Sequence, residues 1–515
     1  MEGLLSSFLM MFSSSLLVFC VFRAAYTLWW IPMKLDKELK QEGIKGSPYR
    51  LLIGDYRELG RSMKEGWSKP MDLNHQIVPR AIPFLHEALQ KHGKISVLWI
   101  GTQPRVIVSD PELMKVVLSN KLGHIEQTRI TNPFIKLLAM GVSTMDGDKW
   151  AKHRRIINPA FHLEKLKGMI PAISTSCNEL IKRWEEFTLP QGSYELDVSP
   201  ELQNLTGDVI SRTAFSSNYK EGQRIFQLQK EQIALMIEAA YNIYVPGFKF
   251  IPTRKNKRRM YLDKEIKAIL RDLIHKKEQG MKNGESSNDD LLGLLLQSNS
   301  NNSTPKDSGL TIEEVIEECK LFYFAGQETT AVLLTWTLIV LSMHPRWQEQ
   351  AREEVLHVCG KNSPNIESIN HLKIVTMILY EVLRLYPPVP AVYRHTRVRT
   401  QVGDKSIPPG VELLFPTILI HHDPHTWGSD AQEFNPERFS DGISKASNDE
   451  LAFFPFGWGP KICVGMNFAM IEAKMAMSMI LQHFSFELSP LYTHAPFTLI
   501  TLQPQHGAQI ILHRL

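Results

Sequence analysis

Phe456 to Gly465 reads FGWGPKICVG, a loop in which glycines punctuate the approach to one cysteine, Cys463, just before a strongly helical stretch beginning at Met466. Gly457, Gly459 and Gly465 permit tight turns and close approach of the backbone to a flat ligand, since no Cβ intervenes. Cys463 stands at the N-terminus of the helix that follows. Unpaired backbone N–H groups and the positive end of the helix dipole favour an anionic sulfur there. Taken alone, the loop would equally suit a buried structural cysteine in a glycine-rich turn.

Composition narrows the choice. At 515 residues, 43% of them hydrophobic, the chain can bury a large core, and a net charge of only +4 gives no global argument for nucleic acid. Cys20, Cys177, Cys319, Cys359 and Cys463 are odd in number, widely spaced and without a CxxC pair, which is neither a disulfide framework nor a zinc pattern. That usage fits a reducing compartment, where the sequons at Asn204, Asn301 and Asn302 go unused. The uncharged run Leu4 to Phe22 has the length of a hydrocarbon core. It lacks a charged leading region and a small-residue cleavage site, so an uncleaved anchor is expected. Arg23, Trp29, Trp30, Lys34, Lys37 and Lys40 then form an interfacial belt with positive charge, placing the downstream side in the cytoplasm. Residues 1–31 are thus expected as an anchor, 32–56, with Gly46 and Pro48 as breakers, as a linker, and 57–515 as the folded body.

Within that body the pattern is mainly α with a small β region. Alternating Ile and Val in ISVLWIGTQPRVIVSD, Ile95 to Asp110, predict two strands joined through Gly101 to Pro104. Helical periodicity covers Leu163 to Phe187 and Ile225 to Tyr241. Ser and Asn dominate Gln297 to Gly309, the composition of a mobile surface loop. The stretch Tyr244 to Met260, YVPGFKFIPTRKNKRRM, suits either a solvated basic turn or a second contact with membrane lipid.

The strongest helix should run from Ile312 to His344, opened by a Thr311/Glu314 capping box and stopped at Pro345. It would be about 50 Å long. At its middle lies AGQETT, Ala325 to Thr330, where small residues leave room on one face and an acid precedes two hydroxyls. A mid-helix threonine commonly bonds back to a carbonyl one turn earlier. An acid and an alcohol holding water in a dry site also make a proton relay. Further on, YEVLRLYPP puts Glu381 and Arg384 on one helical face, and WAKHR does the same for Trp150 and Arg154.

Together these segments resemble the cytochrome P450 haem-thiolate monooxygenases, and the runs GDKWAKHRRIINPAFHLEKLKGM, EECKLFYFAGQETT, ILYEVLRLYPP, FNPERF and PFGWGP look like plant family 72, subfamily A. The resemblance spans essentially the whole chain. It implies the P450 fold preceded by a single transmembrane helix in the endoplasmic reticulum, with the catalytic domain cytosolic. Phe456, Gly459, Lys461, Cys463 and Gly465 match the haem-binding signature, with Lys461 where arginine is usual. By this resemblance haem b is held on Cys463, the axial iron ligand, with Phe456 near the sulfur and Trp150, Arg154, Arg394 and Lys461 toward the propionates. Glu328 and Thr329 would support proton delivery, with Thr330 structural. Glu381, Arg384 and Arg438 would form a buried network that fixes the core. Electrons would come from NADPH through a cytochrome P450 reductase. The substrate would be an apolar small molecule, a terpenoid such as a triterpenoid, gibberellin or iridoid, hydroxylated once or repeatedly. Candidate pocket walls are Gln127 to Met145, Phe322, Phe324, Ala325, Val389 to Val392 and Leu499 to Thr501, including Ile500. Two other readings stay open, a haem-thiolate isomerase or dehydratase acting without reductase, and a non-catalytic haem-binding protein.

Overall fold

The capping box at Thr311 forms as expected: the threonine hydroxyl accepts from Glu314 N at 3.2 Å, and Glu314 Oε2 accepts from Thr311 N at 3.0 Å. The helix it opens runs from Ile312 to Met343, with His344 as its C-cap and a new helix starting at Pro345. This central helix crosses the whole body, and every residue from Thr330 to Leu341 is buried. Its most extensive packing is against the helix Val198–Phe215. There the backbones come so close that a Cβ on Gly326 would lie 2.7 Å from Ile210 Cδ1.

The computed structural model describes residues 2–120, 123–130, 132–189, 191–217, 219–240, 247–284, 289–298, 309–448 and 452–515. Among the described residues the architecture is mainly helical, with a six-stranded sheet and three smaller ones. In the large sheet the strands follow the order 45–46, 95–100, 103–108, 412–415, 392–396, 125–126. The hairpin Ile95–Ile100/Gln103–Val108 falls where alternation puts it, with Gly101 at φ 62° in the turn. Leu163–Thr188 and Tyr219–Ala240 are helices, close to expectation. Residues 244–246 of the expected membrane contact and 299–308 of the expected mobile loop lie outside the described residues; within the rest of the former, Phe248, Phe250 and Ile251 are exposed.

At the N-terminus, the helix Glu2–Ala25 continues through a π turn, Tyr26–Trp30, into Ile31–Gln41. The first of these is long and apolar enough to cross a membrane, and its side chains from residue 6 onward are exposed; the central helix passes the same test of length but is core. Residues 32–56 are not a linker. Pro32, Asp36 and Leu39 are buried, Lys45 and Gly46 pair with Ser96 and Val97, and Asp55 accepts from Trp99 N at 2.8 Å. The apolar face of Ile31–Gln41 has a core to meet, which its charge content hid in the sequence.

Glu314 is held at about 2 although partial burial opposes it, because Thr311 N–H and Lys149 favour the carboxylate. A depressed folded value stabilises above the ordinary 4.5 and is lost as pH falls through about 2. Thr311→Ala should lower stability by about 1 kcal/mol at neutral pH. Glu314→Gln should flatten the fall of melting temperature between those two pH values, measured on the detergent-solubilised chain.

Candidate functional site

A cavity of about 510 Å³ lies between the cysteine loop and the central helix. Its helical wall is a stripe, Phe322, Ala325, Gly326, Thr329, Thr330 and Leu333, the spacing of one helical face. The opposite wall is the loop from Phe454 to Gly465. Cys463 is deeply enclosed by the protein yet its side chain is accessible, because its free surface is cavity wall.

Local backbone chemistry explains how the sulfur is presented. Gly457 and Gly459 adopt φ 77° and 75°, and a Cβ on Gly459 would strike Leu118 O at 2.4 Å. Cys463 N donates to Phe456 O at 2.9 Å, closing the loop onto itself. Gly465 has ordinary φ, and its freedom is used differently. A Cβ there would meet nothing nearer than Phe161 at 3.9 Å, and one on Gly457 nothing within 4 Å. Both line the cavity, so their missing side chains leave a flat wall beside the sulfur.

Burial pushes the Cys463 thiol up from its ordinary value, against the Gly465 N–H and the Arg154 charge, which pull it down. The helix terminus alone therefore does not make this thiol anionic. A bound cation would, since a coordinating thiol loses its proton outright. Arg154 donates from Nη1 to Ile462 O at 2.9 Å, next to the cysteine. Arg394 donates to Gln127 Oε1 at 3.0 Å and to Tyr393 O at 2.7 Å. Burial lowers Arg394 to about 10, so it stays charged at neutral pH. Lys461 donates to Met145 O at 2.7 Å and pairs with Asp146, its ammonium 5.4 Å from the Trp150 ring centroid. Three cations thus border a flat-walled cavity with a thiol in one face. That set fits haem: a soft axial ligand, a planar space and positive groups for two carboxylates.

The cavity takes in Cys463, Phe456, Lys461, Trp150, Arg154, Arg394, Thr329, Phe322, Ala325, Val389 and Val392. Phe324, Ile500 and Glu328 are not among its walls. Phe324 is two residues from Phe322, about 200° around a helix, so the two cannot face one space. Glu328 turns toward the hairpin at 496–504 and accepts from Thr501 Oγ1 at 2.7 Å and from Gln503. Thr501 thereby backs the acid and does not line the pocket. The Thr329 hydroxyl donates to Ala325 O at 2.8 Å, the back-bond expected of a mid-helix threonine, while still facing the cavity. Gly326 yields space to Ile210 of the neighbouring helix, and Thr330 is a cavity wall as well as a structural residue.

The scaffold network is tighter than its sequence spacing implied, and differently shared. Arg384 grips Glu381 through two bonds of 2.7 Å and also donates to His421 O, Ala431 O and Glu433 O, with both side chains fully buried. Arg438 approaches Glu381 only to 3.6 Å. Its hydrogen bonds go to Trp427 O at 2.9 Å and Asp430 Oδ2 at 2.8 Å.

Two residues escaped the sequence reading. Asp146, just before the helix Gly147–Ile157, accepts from Gln127 N at 2.8 Å and from Lys461. Glu472, buried in the helix Met466–His483, sits against Thr330, and burial raises its carboxyl well above the ordinary range. An acid inside the apolar run FAMIEAKMAMSMI was the available signal for the second. Asp146 had none, because its partner lies more than three hundred residues away.

The cytochrome P450 family model matches residues 74–511. Cytochrome P450 CYP72A616 of Paris polyphylla is 57% identical over 496 residues, 96% of each chain. The 7-deoxyloganic acid hydroxylase of Catharanthus roseus is 48% identical over 507 residues, 97% of each. Among solved structures, the retinoic acid-bound cyanobacterial CYP120A1 is similar with a TM-score of 0.75 at 21% identity, covering 92% of this chain and 99% of that one.

Removing one member of the buried pair leaves a charge without its partner. Glu381→Gln should cost about 3–5 kcal/mol, read as a large fall in melting temperature and in the yield of folded chain.

Proposed function

The chain belongs to the cytochrome P450 family, a haem-dependent oxidoreductase of plant CYP72A kinship, and we propose that it hydroxylates a terpenoid using electrons from a membrane-bound NADPH-dependent reductase. The observation that carries this reading is that Cys463 and Thr329, from the cysteine loop and the central helix, line one cavity. Haem held on Cys463 would supply dioxygen activation. Arg154, Arg394 and Lys461 would meet its carboxylates, with Phe456 and Trp150 packed beside it.

The remaining steps belong to the chain's own side chains. Phe322, Ala325, Leu333, Val389, Ala391 and Val392 give the cavity an apolar lining that takes a hydrocarbon skeleton and excludes bulk water. Thr329 Oγ1, donating to Ala325 O, has its oxygen lone pairs free to accept from water and can pass a proton inward when that bond rotates. Glu328 sits behind it as the proton reservoir, held by Thr501 and Gln503 at the edge of the 496–504 hairpin. A relay from Glu328 to Thr329 would pass from the hairpin side of the central helix to its cavity side.

A relative named for hydroxylating 7-deoxyloganic acid supports a terpenoid as the substrate class. The apolar N-terminal helix with its tryptophans and lysines supports an anchor in the endoplasmic reticulum membrane, with the catalytic body cytosolic. An intact Glu328–Thr329 pair speaks against the reductase-free isomerase or dehydratase, and the cavity against a non-catalytic haem carrier.

The deciding experiment incubates microsomes carrying this chain and a plant reductase with triterpenoids, gibberellins and iridoids. NADPH-dependent product by mass spectrometry is expected; none with any of them would overturn the reading. Cys463→Ala should abolish the red-shifted Soret band of the reduced carbon monoxide complex, whereas Thr329→Ala should keep the band and divert electrons to peroxide. The transfer step is worth about 10²–10⁴-fold when a proton donor is positioned, so coupling should fall by at least about tenfold.

A further inference from the structure

The first four turns of the central helix carry charges that the oxygen-activating site does not use. Lys320 is fully buried there. Its ammonium donates to Leu137 O at 2.7 Å and to Asp263 Oδ1 at 3.0 Å, and lies 3.4 Å from Glu317 Oε1. Glu317 Oε2 in turn accepts from Met140 N at 3.0 Å. Lys267 closes the cluster, 3.0 Å from Asp263 and 3.5 Å from Glu317. One residue further on, Gly141 lies so close to the central helix that a Cβ would fall 2.6 Å from Glu318 Oε2 and 2.8 Å from Leu321 Cδ2. Glu318 is itself pinned by His153 Nδ1 at 2.6 Å.

These contacts converge on five residues, 137–141, and the next three, Val142, Ser143 and Thr144, are cavity wall. We propose that Glu317 and Lys320 are positioning residues that latch the loop 137–144 to the central helix and so set the size of molecule the cavity accepts. The inference rests on the cavity being the substrate pocket beside haem.

The chemistry favours registry over mere adhesion. A buried ion cluster is a poor source of stability, because desolvation cancels much of the attraction, and its best-attested use is to specify one arrangement among several. Here the cluster turns one donor and one acceptor to main-chain atoms. Lys320 takes the Leu137 carbonyl and Glu317 the Met140 amide, three residues apart, so a slip of the loop by one residue would break both. An apolar contact would tolerate that slip. Gly141 adds a close contact, since a Cβ there would have to displace the Glu318 carboxylate and Leu321 Cδ2.

The test uses the full-length, haem-loaded chain in detergent, with imidazole as a small iron-binding probe and a triarylmethyl imidazole as a bulky one. In Lys320→Met, and separately in Glu317→Gln, amide exchange across 137–144 should rise about tenfold while that of 456–465 is unchanged. The ratio of the two dissociation constants, bulky over small, should fall by about fivefold. Lys320→Arg should restore both values. If Lys320→Met does not fold, Glu317→Gln decides alone, since Lys320 keeps Asp263. A lower melting temperature with unchanged exchange and an unchanged ratio would overturn the latch. Failure of the parent chain to bind imidazole at all would instead overturn the haem-pocket reading.

Discussion

The bidentate grip of Arg384 on Glu381 is the interaction on which the site's position depends. With that carboxylate neutralising it, the guanidinium spends its remaining donors on three main-chain carbonyls, at His421, Ala431 and Glu433. His421 ends the short helix Thr417–His421, where a terminal carbonyl lacks an intrahelical partner, and Ala431 and Glu433 lie in irregular chain. His421 extends the chain of bonds, because its ring accepts from Phe454 N at 2.9 Å. Burial, together with the Arg384 charge, drives the His421 imidazole well below its ordinary value. It is therefore neutral and able to accept. Phe454 begins the cavity face of the cysteine loop, so a path of hydrogen bonds runs from a buried ion pair on the helix Lys373–Leu385 to the backbone that presents Cys463.

Around the sulfur, burial and charge work against each other. Desolvation raises the thiol and lowers Arg154, Arg394 and Lys461. A site so arranged is poorly satisfied by protein groups alone. A metal ion at the sulfur and two carboxylates at the cations would supply what each side lacks. Asp146 moderates the balance as the anion bonded to Lys461 and to Gln127 N. Lysine in place of arginine at position 461 suits this, because a compact ammonium reaches both Asp146 and Met145 O from one atom.

What the sequence disclosed follows from the range over which its signals act. The cysteine loop, the Thr311 box, the 95–108 hairpin and the Glu381–Arg384 spacing are local patterns whose partners lie within a few residues, so spacing alone announced them. Face assignment around a helix was less legible. Periodicity says which residues share a face, but Phe322 and Phe324 needed the position of the cavity to separate them. Glu328 sits about 100° from Thr329, and only the hairpin carrying Thr501 shows that it points away from the pocket. Asp146 and Leu137 were illegible because their partners, Lys461 and Lys320, arrive from distant chain and one contact is to a carbonyl that any residue offers. The charges of Ile31–Gln41 likewise disguised a helix with one buried face as linker.

The central helix divides its labour along its length. From Thr330 to Leu341 it is buried without interruption, and its apolar side chains are locked by close packing that tolerates little change of volume. From Glu313 to Lys320 buried apolar residues, Val315, Ile316 and Cys319, alternate with charged ones whose bonds reach loop backbone and the helix Arg254–Lys282. Dispersion contacts resist displacement in every direction a little, whereas a few directional bonds hold one register and fail together when it is lost. Residues Ala325 to Thr330 lie between these two stretches, where the helix borders the cavity. The helix thus brings close packing to one end of the cavity wall and directional bonds to the other.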